Sequence, residues 1–175
     1  MCIMLAVFMG KVLKKKTAVA GDEVTYSLML RQMQKAAAIQ HKGIASRHAY
    51  SMDGIDYYCG IRDEDIGILR QKYDVIILDI SFENTFDNTN VTFARMVSRL
   101  SACDEKILAG SMLPWKSREC EKKMERIERF LDIRGLKMVT LAACDKEAVS
   151  IIKKHGVEVV LIPFERNPFV ISGEN

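Results

Sequence analysis

The stretch Tyr73–Ser81 reads YDVIILDIS, with four large apolar residues, Val75 to Leu78, set between Asp74 and Asp79. A strand covered by helices on both faces has such a continuous β-branched run, because neither face is given to solvent. In open α/β sheets, ligands lie beyond the carboxyl ends of the strands, and Asp79 would stand there with its carboxylate. The plainer alternative is that Asp79 ends the strand and caps the following loop.

Working outward, buried strands alternate with helical patterns. Thr17 to Ala20 reads as a short buried strand. His48 to Ile61 alternates around the turn dipeptide Asp53-Gly54 and predicts a hairpin or edge strand. Asp63 is placed to cap a helix running to about Gln71, with Glu64 and Asp65 in its first turn. Phe82 to Asn90 is polar and reads as a loop, after which Phe93, Val97 and Leu100 mark one face of a helix. Glu105 to Met112 predicts a further buried strand. The helix opened by Pro114 carries one apolar stripe, Cys120, Met124, Ile127 and Leu131, and an i,i+4 pair of Glu119 with Lys123. A strand over Leu136 to Leu141, a capped helix over Asp145 to His155 with Gly156 past its end, and a last strand over Val157 to Ile162 complete the order.

Two stretches read less simply. Cys2 to Lys16 suits a helix with Lys14 to Lys16 at its carboxyl end, though CIMLAVFM also fits a buried strand. Val24 to His41 has helical composition with an irregular stripe. Strands alternating with helices imply an α/β fold: a mostly parallel sheet, three layers deep, with helices on both faces and right-handed crossovers. No linker or repeat divides residues 1–175, which predicts a single domain.

The totals exclude several classes. The chain has 175 residues, 49% hydrophobic and 28% charged, enough for one sizeable core. A formal net charge of +3 gives no nucleic-acid footprint. The five cysteines are scattered without a CxxC pair, and the three histidines lack metal-ligand spacing. Met1 to Met9 is apolar but too short to span a bilayer, and its lysines follow rather than precede it, unlike a signal peptide. A reducing, cytoplasmic setting with mostly buried thiols is the expectation. Trp115 reads as a packing residue at the start of its helix, and the ten methionines as core fillers.

From about Thr17 to Phe169 the order of elements resembles the MinD/ParA-like (SIMIBI-class) P-loop ATPases, with the closer likeness to a divergent branch of that family found in Firmicutes. Three features carry the resemblance: the DYYCG edge before an acidic-capped helix, YDVIILDIS in the place of the Walker B strand, and CDEKILAGSMLPWK followed by a terminal IPFERNPF. The resemblance implies that Asp79 would hold magnesium through water. It also implies that Pro163, Phe164, Glu165 and Arg166 would line the adenine pocket, so that ATP and Mg2+ are the cofactors. At Ala143 and Cys144, where the family often supplies an adenine-contacting Asn, no Asn stands.

The departure lies in the phosphate site. A P-loop needs a glycine-rich turn whose N–H groups cradle phosphates, then Lys and Ser or Thr. The amino-terminal Gly-Lys is Gly10-Lys11, followed by Val12 and without a glycine five positions earlier, and no GxxxxGK occurs elsewhere. Met1 to Lys16 matches the helix that follows the loop in the family, so the first strand and Walker A loop are missing, by truncation or by loss. No glycine follows Asp79 closely either. Without those donors the stabilisation of the transferring phosphoryl group loses its main electrostatic source. The expectation is an ATPase-related protein that does not hydrolyse and acts by binding a protein partner or a second copy. The alternative is a receiver-like or flavodoxin-like signalling module with Asp22, Glu23 and Asp79 as a magnesium-holding acidic set, for which Lys116 and Lys146 are poorly placed.

Overall fold

The computed structural model describes residues 2–21, 37–38, 48–80, 90–110, 114–132, 136–141 and 146–162. The expected helix over Val24 to His41 falls largely outside them, as do Asp22, Glu23, the Phe82–Asn90 loop up to residue 89, Ala143, Cys144 and the tail from Pro163. The chain forms two compact units, Met1–Asp87 with Asn167–Asn175, and Asn88–Arg166.

The first unit begins with helix α1 (Cys2–Val7), which widens into a π-helical turn over Phe8–Val12. The helical reading of this stretch holds and the strand alternative does not. Strands β1 (Thr17–Gly21), β2 (Ala37–Ala38), β3 (His48–Met52) and β4 (Ile55–Cys59) follow, then helix α2 (Asp63–Lys72) and strand β5 (Val75–Asp79). Their order in the sheet is β2-β3-β4-β1-β5. Strands β4, β1 and β5 run parallel, while β3 is antiparallel to β4 and to β2. The hairpin turn is Asp53-Gly54, at φ 55° and 77°, the doubly left-handed geometry that matches the twist of the flanking strands. Ala37 and Ala38, expected within a helix, are extended and pair with Ser51 and Tyr50.

Strand β1 is buried throughout, and its alternation sorts two cores. On one face Val19, Ile55, Tyr57 and Ile77 pack with Ile3, Ala6 and Val7 of α1. On the other, Ala18, Ala20, Tyr58 and Tyr73 pack with Leu69 of α2. Helices thus cover both faces of this sheet. Its YDVIILDIS strand departs from expectation in place: among the described residues β5 is the sheet's last strand, and only Ile77 of its residues is fully buried.

Helix α2 is capped one residue earlier than expected. Arg62 holds the N-cap position, and the cap is reversed in sense: its N–H donates to the Asp65 carboxylate at 3.1 Å, while the Asp65 N–H returns to the Arg62 carbonyl at 3.1 Å. Asp63 is the first helical residue, exposed, and its carboxylate serves the helix dipole instead. Asp65 is 1% exposed, so this acceptor sits where water cannot replace it. Asp65→Ala is expected to cost about 1–2 kcal/mol in urea unfolding, against a few tenths for Asp63→Ala.

The second unit contains α3 (Asn90–Ser101), β6 (Ile107–Ala109), α4 (Pro114–Glu128), β7 (Lys137–Leu141), α5 (Lys146–Lys154) and β8 (Glu158–Ile162). Its three strands are parallel in the order β6-β7-β8. Of the predicted stripe of α4, Cys120, Met124 and Ile127 are buried, as are Met138 and Ile152 of the same unit, whereas Leu131 lies past the helix's end and is half-buried. The buried faces of α3 are Phe93 and Met96 rather than Val97 and Leu100, which are half-buried. Gly156 closes α5 at φ 73°, its N–H donating to the Lys153 carbonyl at 3.0 Å. Strand β6 is shorter than expected and exposes Ile107 along the flank of its sheet.

Candidate functional site

The carboxyl ends of β4, β1 and β5 finish in step. Gly21 is in register with Cys59 on one side and with Asp79 on the other. The Gly60 N–H donates to the Gly21 carbonyl at 2.9 Å, and Gly60 turns the chain away at φ 68°. Asp79 is half-buried at this end of the sheet, the position its sequence implied. Pro163, Phe164, Glu165 and Arg166 lie outside the described residues.

Lys11, the lysine of the amino-terminal Gly-Lys pair, lies within the π-helical turn that ends the first helix, and its ammonium sits 2.7 Å from the Asp53 carboxylate in the hairpin turn. Gly10 beside it approaches β4 closely: a Cβ there would meet Ile55 Cγ1 at 3.1 Å. The pair therefore ties the end of the first helix to the hairpin. No group of three or more His, Cys, Asp or Glu side chains converges on a metal position among the described residues. Asp79 is the carboxylate at the carboxyl end of β5.

A polar cluster that the sequence did not signal occupies the α2 face of the sheet. The Tyr73 hydroxyl donates to Asp56 Oδ2 at 2.5 Å and lies 2.6 Å from the Tyr58 hydroxyl. Because the Tyr73 proton is engaged by the carboxylate, Tyr58 is the donor in the second bond. The two rings meet edge to face at 6.1 Å, and the Lys16 ammonium lies 5.2 Å from the Tyr73 ring centroid. Burial, then the bond to Asp56, drives the Tyr73 phenol far above the ordinary tyrosine range. Burial raises Tyr58 as well. Nearby, the Asp74 carboxylate accepts the Lys16 N–H at 2.9 Å, tying the start of β5 to the start of β1. The alternating DYY of β4 sends Asp56 and Tyr58 to one face and Tyr57 to the other, but Tyr73 joins them only through tertiary packing.

Tyr57 is 1% exposed in the α1-side core, and its hydroxyl makes no hydrogen bond among the described residues. Burial first, and the charge of Asp53 second, push its phenol up to about 12.

No protein-family model matches the sequence, and no curated protein matches it. Solved structures do. The chain is similar to the MinD cell division protein of Aquifex aeolicus, with a TM-score of 0.60 and 13% identity over 94% of this chain and 77% of that one. It is similar also to the same organism's MinC:MinD cell division protein complex, with a TM-score of 0.57 and 13% identity over 94% of this chain and 76% of that one. At that identity the likeness speaks to architecture: the chain has a MinD-like α/β fold, with parallel and mixed sheets and helices on both sides.

Proposed function

We propose that this chain is a MinD/ParA-related protein with an incomplete nucleotide site, which binds a partner and does not hydrolyse ATP. Residues 1–175 form one MinD-like domain in this reading, supported by a fold match extending over 94% of the chain. The observation that carries it is Asp79 at the carboxyl end of β5, level with Gly21 and Cys59, in a fold of this kind. Lys11, the lysine of the amino-terminal Gly-Lys pair, is paired with Asp53, which supports the reading. Asp79 would then contribute a carboxylate toward a magnesium-bound water, with Pro163, Phe164, Glu165 and Arg166 after β8 lining the base. The partner-binding half takes its support from the neighbour solved as a MinC:MinD complex. No described helix is long and apolar enough to cross a membrane. Nothing observed favours the receiver-like alternative, whose sheet is all-parallel, whereas β3 here runs against β4.

The test is calorimetric titration of the full chain with ATP, with and without Mg2+, alongside a phosphate-release assay. Phosphate release should stay at the buffer blank, and Asp79→Asn should weaken Mg2+-dependent nucleotide binding about tenfold, equivalent to ~1.4 kcal/mol. Release above the blank would overturn the non-hydrolysing reading. Binding indifferent to Asp79→Asn would remove Asp79 from the site.

A further inference from the structure

The buried face of the first helix runs through Ile3, Ala6 and Val7, and the period of an α-helix would continue it at Gly10 and Leu13. Gly10 keeps to that face, close against Ile55. Leu13 does not. The π-helical turn over Phe8–Val12 inserts one residue, so the Leu13 N–H donates to the Phe8 carbonyl, five residues back, at 3.1 Å, and Leu13 is turned out to 46% exposure. In such a turn the residues four and five after Phe8 flank it on one face. All three are large, apolar and open, Phe8 being 42% and Val12 51% exposed. This end of the helix is pinned. The Lys11–Asp53 pair ties it to the hairpin, and the Lys15 N–H donates to the Met9 carbonyl at 2.9 Å. Single π-turns recur where side chains are re-aimed for function, and an apolar patch rimmed by polar groups is the usual mark of a contact surface.

We infer that Phe8, Val12 and Leu13, with Lys14 and Lys15 beside them, form a docking face for an acidic amphipathic segment of a partner protein. Charge selects the occupant. From Met1 to Gly21 the sequence holds Lys11, Lys14, Lys15 and Lys16 and no acidic residue. Lys11 is matched by Asp53, and the Lys16 ammonium lies over the Tyr73 ring. Lys14 and Lys15, both exposed, are then the charges that draw carboxylates to the rim of the apolar trio. A helical segment fits when it lays an i, i+3, i+4 apolar face on the trio and carries acidic residues along its flanks. An anionic membrane is the poorer occupant. Such surfaces are read by clusters of about 4–8 basic residues, and here the Asp53 and Asp74 carboxylates stand among the lysines. A second copy is poorer too, because a two-fold axis through the patch would set lysines against the same lysines. The inference names a kind of partner for the function proposed above but rests on this face alone, so a failed nucleotide titration leaves it standing, and the reverse.

The test is methyl NMR on the full chain, titrated with the probe acetyl-Glu-Leu-Asp-Glu-Leu-Leu-Glu-Asp-Leu-amide. The Val12 and Leu13 methyl signals should shift in a saturable way, while those of Ile3 and Val7 on the buried face stay in place. The same peptide with Gln and Asn for its acidic residues should bind about tenfold more weakly, since it keeps the apolar face and loses the pairs with Lys14 and Lys15. Equal binding by the neutral peptide overturns the acidic occupant. No shift from the acidic peptide up to millimolar concentration overturns the docking face itself, including the case in which another part of the chain covers it. A response to vesicles of equimolar phosphatidylcholine and phosphatidylserine without one to the peptide overturns the choice of occupant in favour of lipid. Shifts that grow with protein concentration alone overturn it in favour of a second copy. Because every arm uses the unmodified protein, no outcome depends on whether a variant folds.

Discussion

Tyr73→Phe is expected to lower the stability of the chain by about 3 kcal/mol in urea unfolding at neutral pH. The loss has two parts. The bond to the Asp56 carboxylate, 2.5 Å long, is charge-assisted and is worth about 1.5–3 kcal/mol. The bond from the Tyr58 hydroxyl goes with it, on a residue that is 1% exposed. Tyr58→Phe is the control. It removes the outer link and leaves Tyr73 bonded to Asp56, so it should cost only about 1 kcal/mol. The double variant should then cost little more than Tyr73→Phe alone, because the two hydroxyls act in series. Equal losses for the two single variants would show that the bonds are independent and that the cluster is not a relay centred on Tyr73.

The second large effect is alkaline. The phenols of Tyr57, Tyr58 and Tyr73 are all raised in the folded chain, Tyr57 to about 12, from an ordinary value of 10.0. Below pH 10 these groups are neutral in both states, and their contribution is fully present. Above it the unfolded chain releases protons that the folded chain keeps, so it binds fewer protons and stability falls as pH rises. Each such group contributes a slope of about 1.4 kcal/mol per pH unit, which for Tyr57 continues to about pH 12. Unfolding by urea at pH 8, 10 and 11 should therefore show a steep decline confined to the last interval. Tyr57→Phe separates this from general alkaline damage. Its hydroxyl makes no hydrogen bond among the described residues, so at pH 7 the substitution should be neutral or stabilising by up to about 1 kcal/mol. It should also make the decline above pH 10 shallower by one proton. A decline of unchanged slope would mean that Tyr57 is not among the groups driving it.

The residues that announced themselves in the sequence did so through short-range physics. The doubly left-handed turn at Asp53-Gly54 follows from the backbone freedom of those two residue types. The buried stripe of Cys120, Met124 and Ile127 follows from the 3.6-residue period, and the stop at Gly156 from its positive φ. The apolar run of β5 announced a strand and put Asp79 at its end. These local signals, repeated along the chain, determined the α/β class and the order of its elements.

Only the tertiary structure decided what those elements do to one another. The Lys11–Asp53 ion pair joins residues 42 apart, and the Tyr73–Asp56 and Tyr58–Tyr73 bonds join residues 17 and 15 apart. Such partners are chosen by strand register, since a shift of one residue would send Asp56 and Tyr58 to the opposite face. The cap of α2 moved from Asp63 to Arg62 because a buried carboxylate, Asp65, was the better acceptor once Leu69 fixed which side of the helix faces the sheet. The position of β5 as the last described strand of its sheet is likewise invisible in YDVIILDIS. An apolar run records how much surface a strand needs covered, whereas which strands do the covering is set by the whole chain's packing.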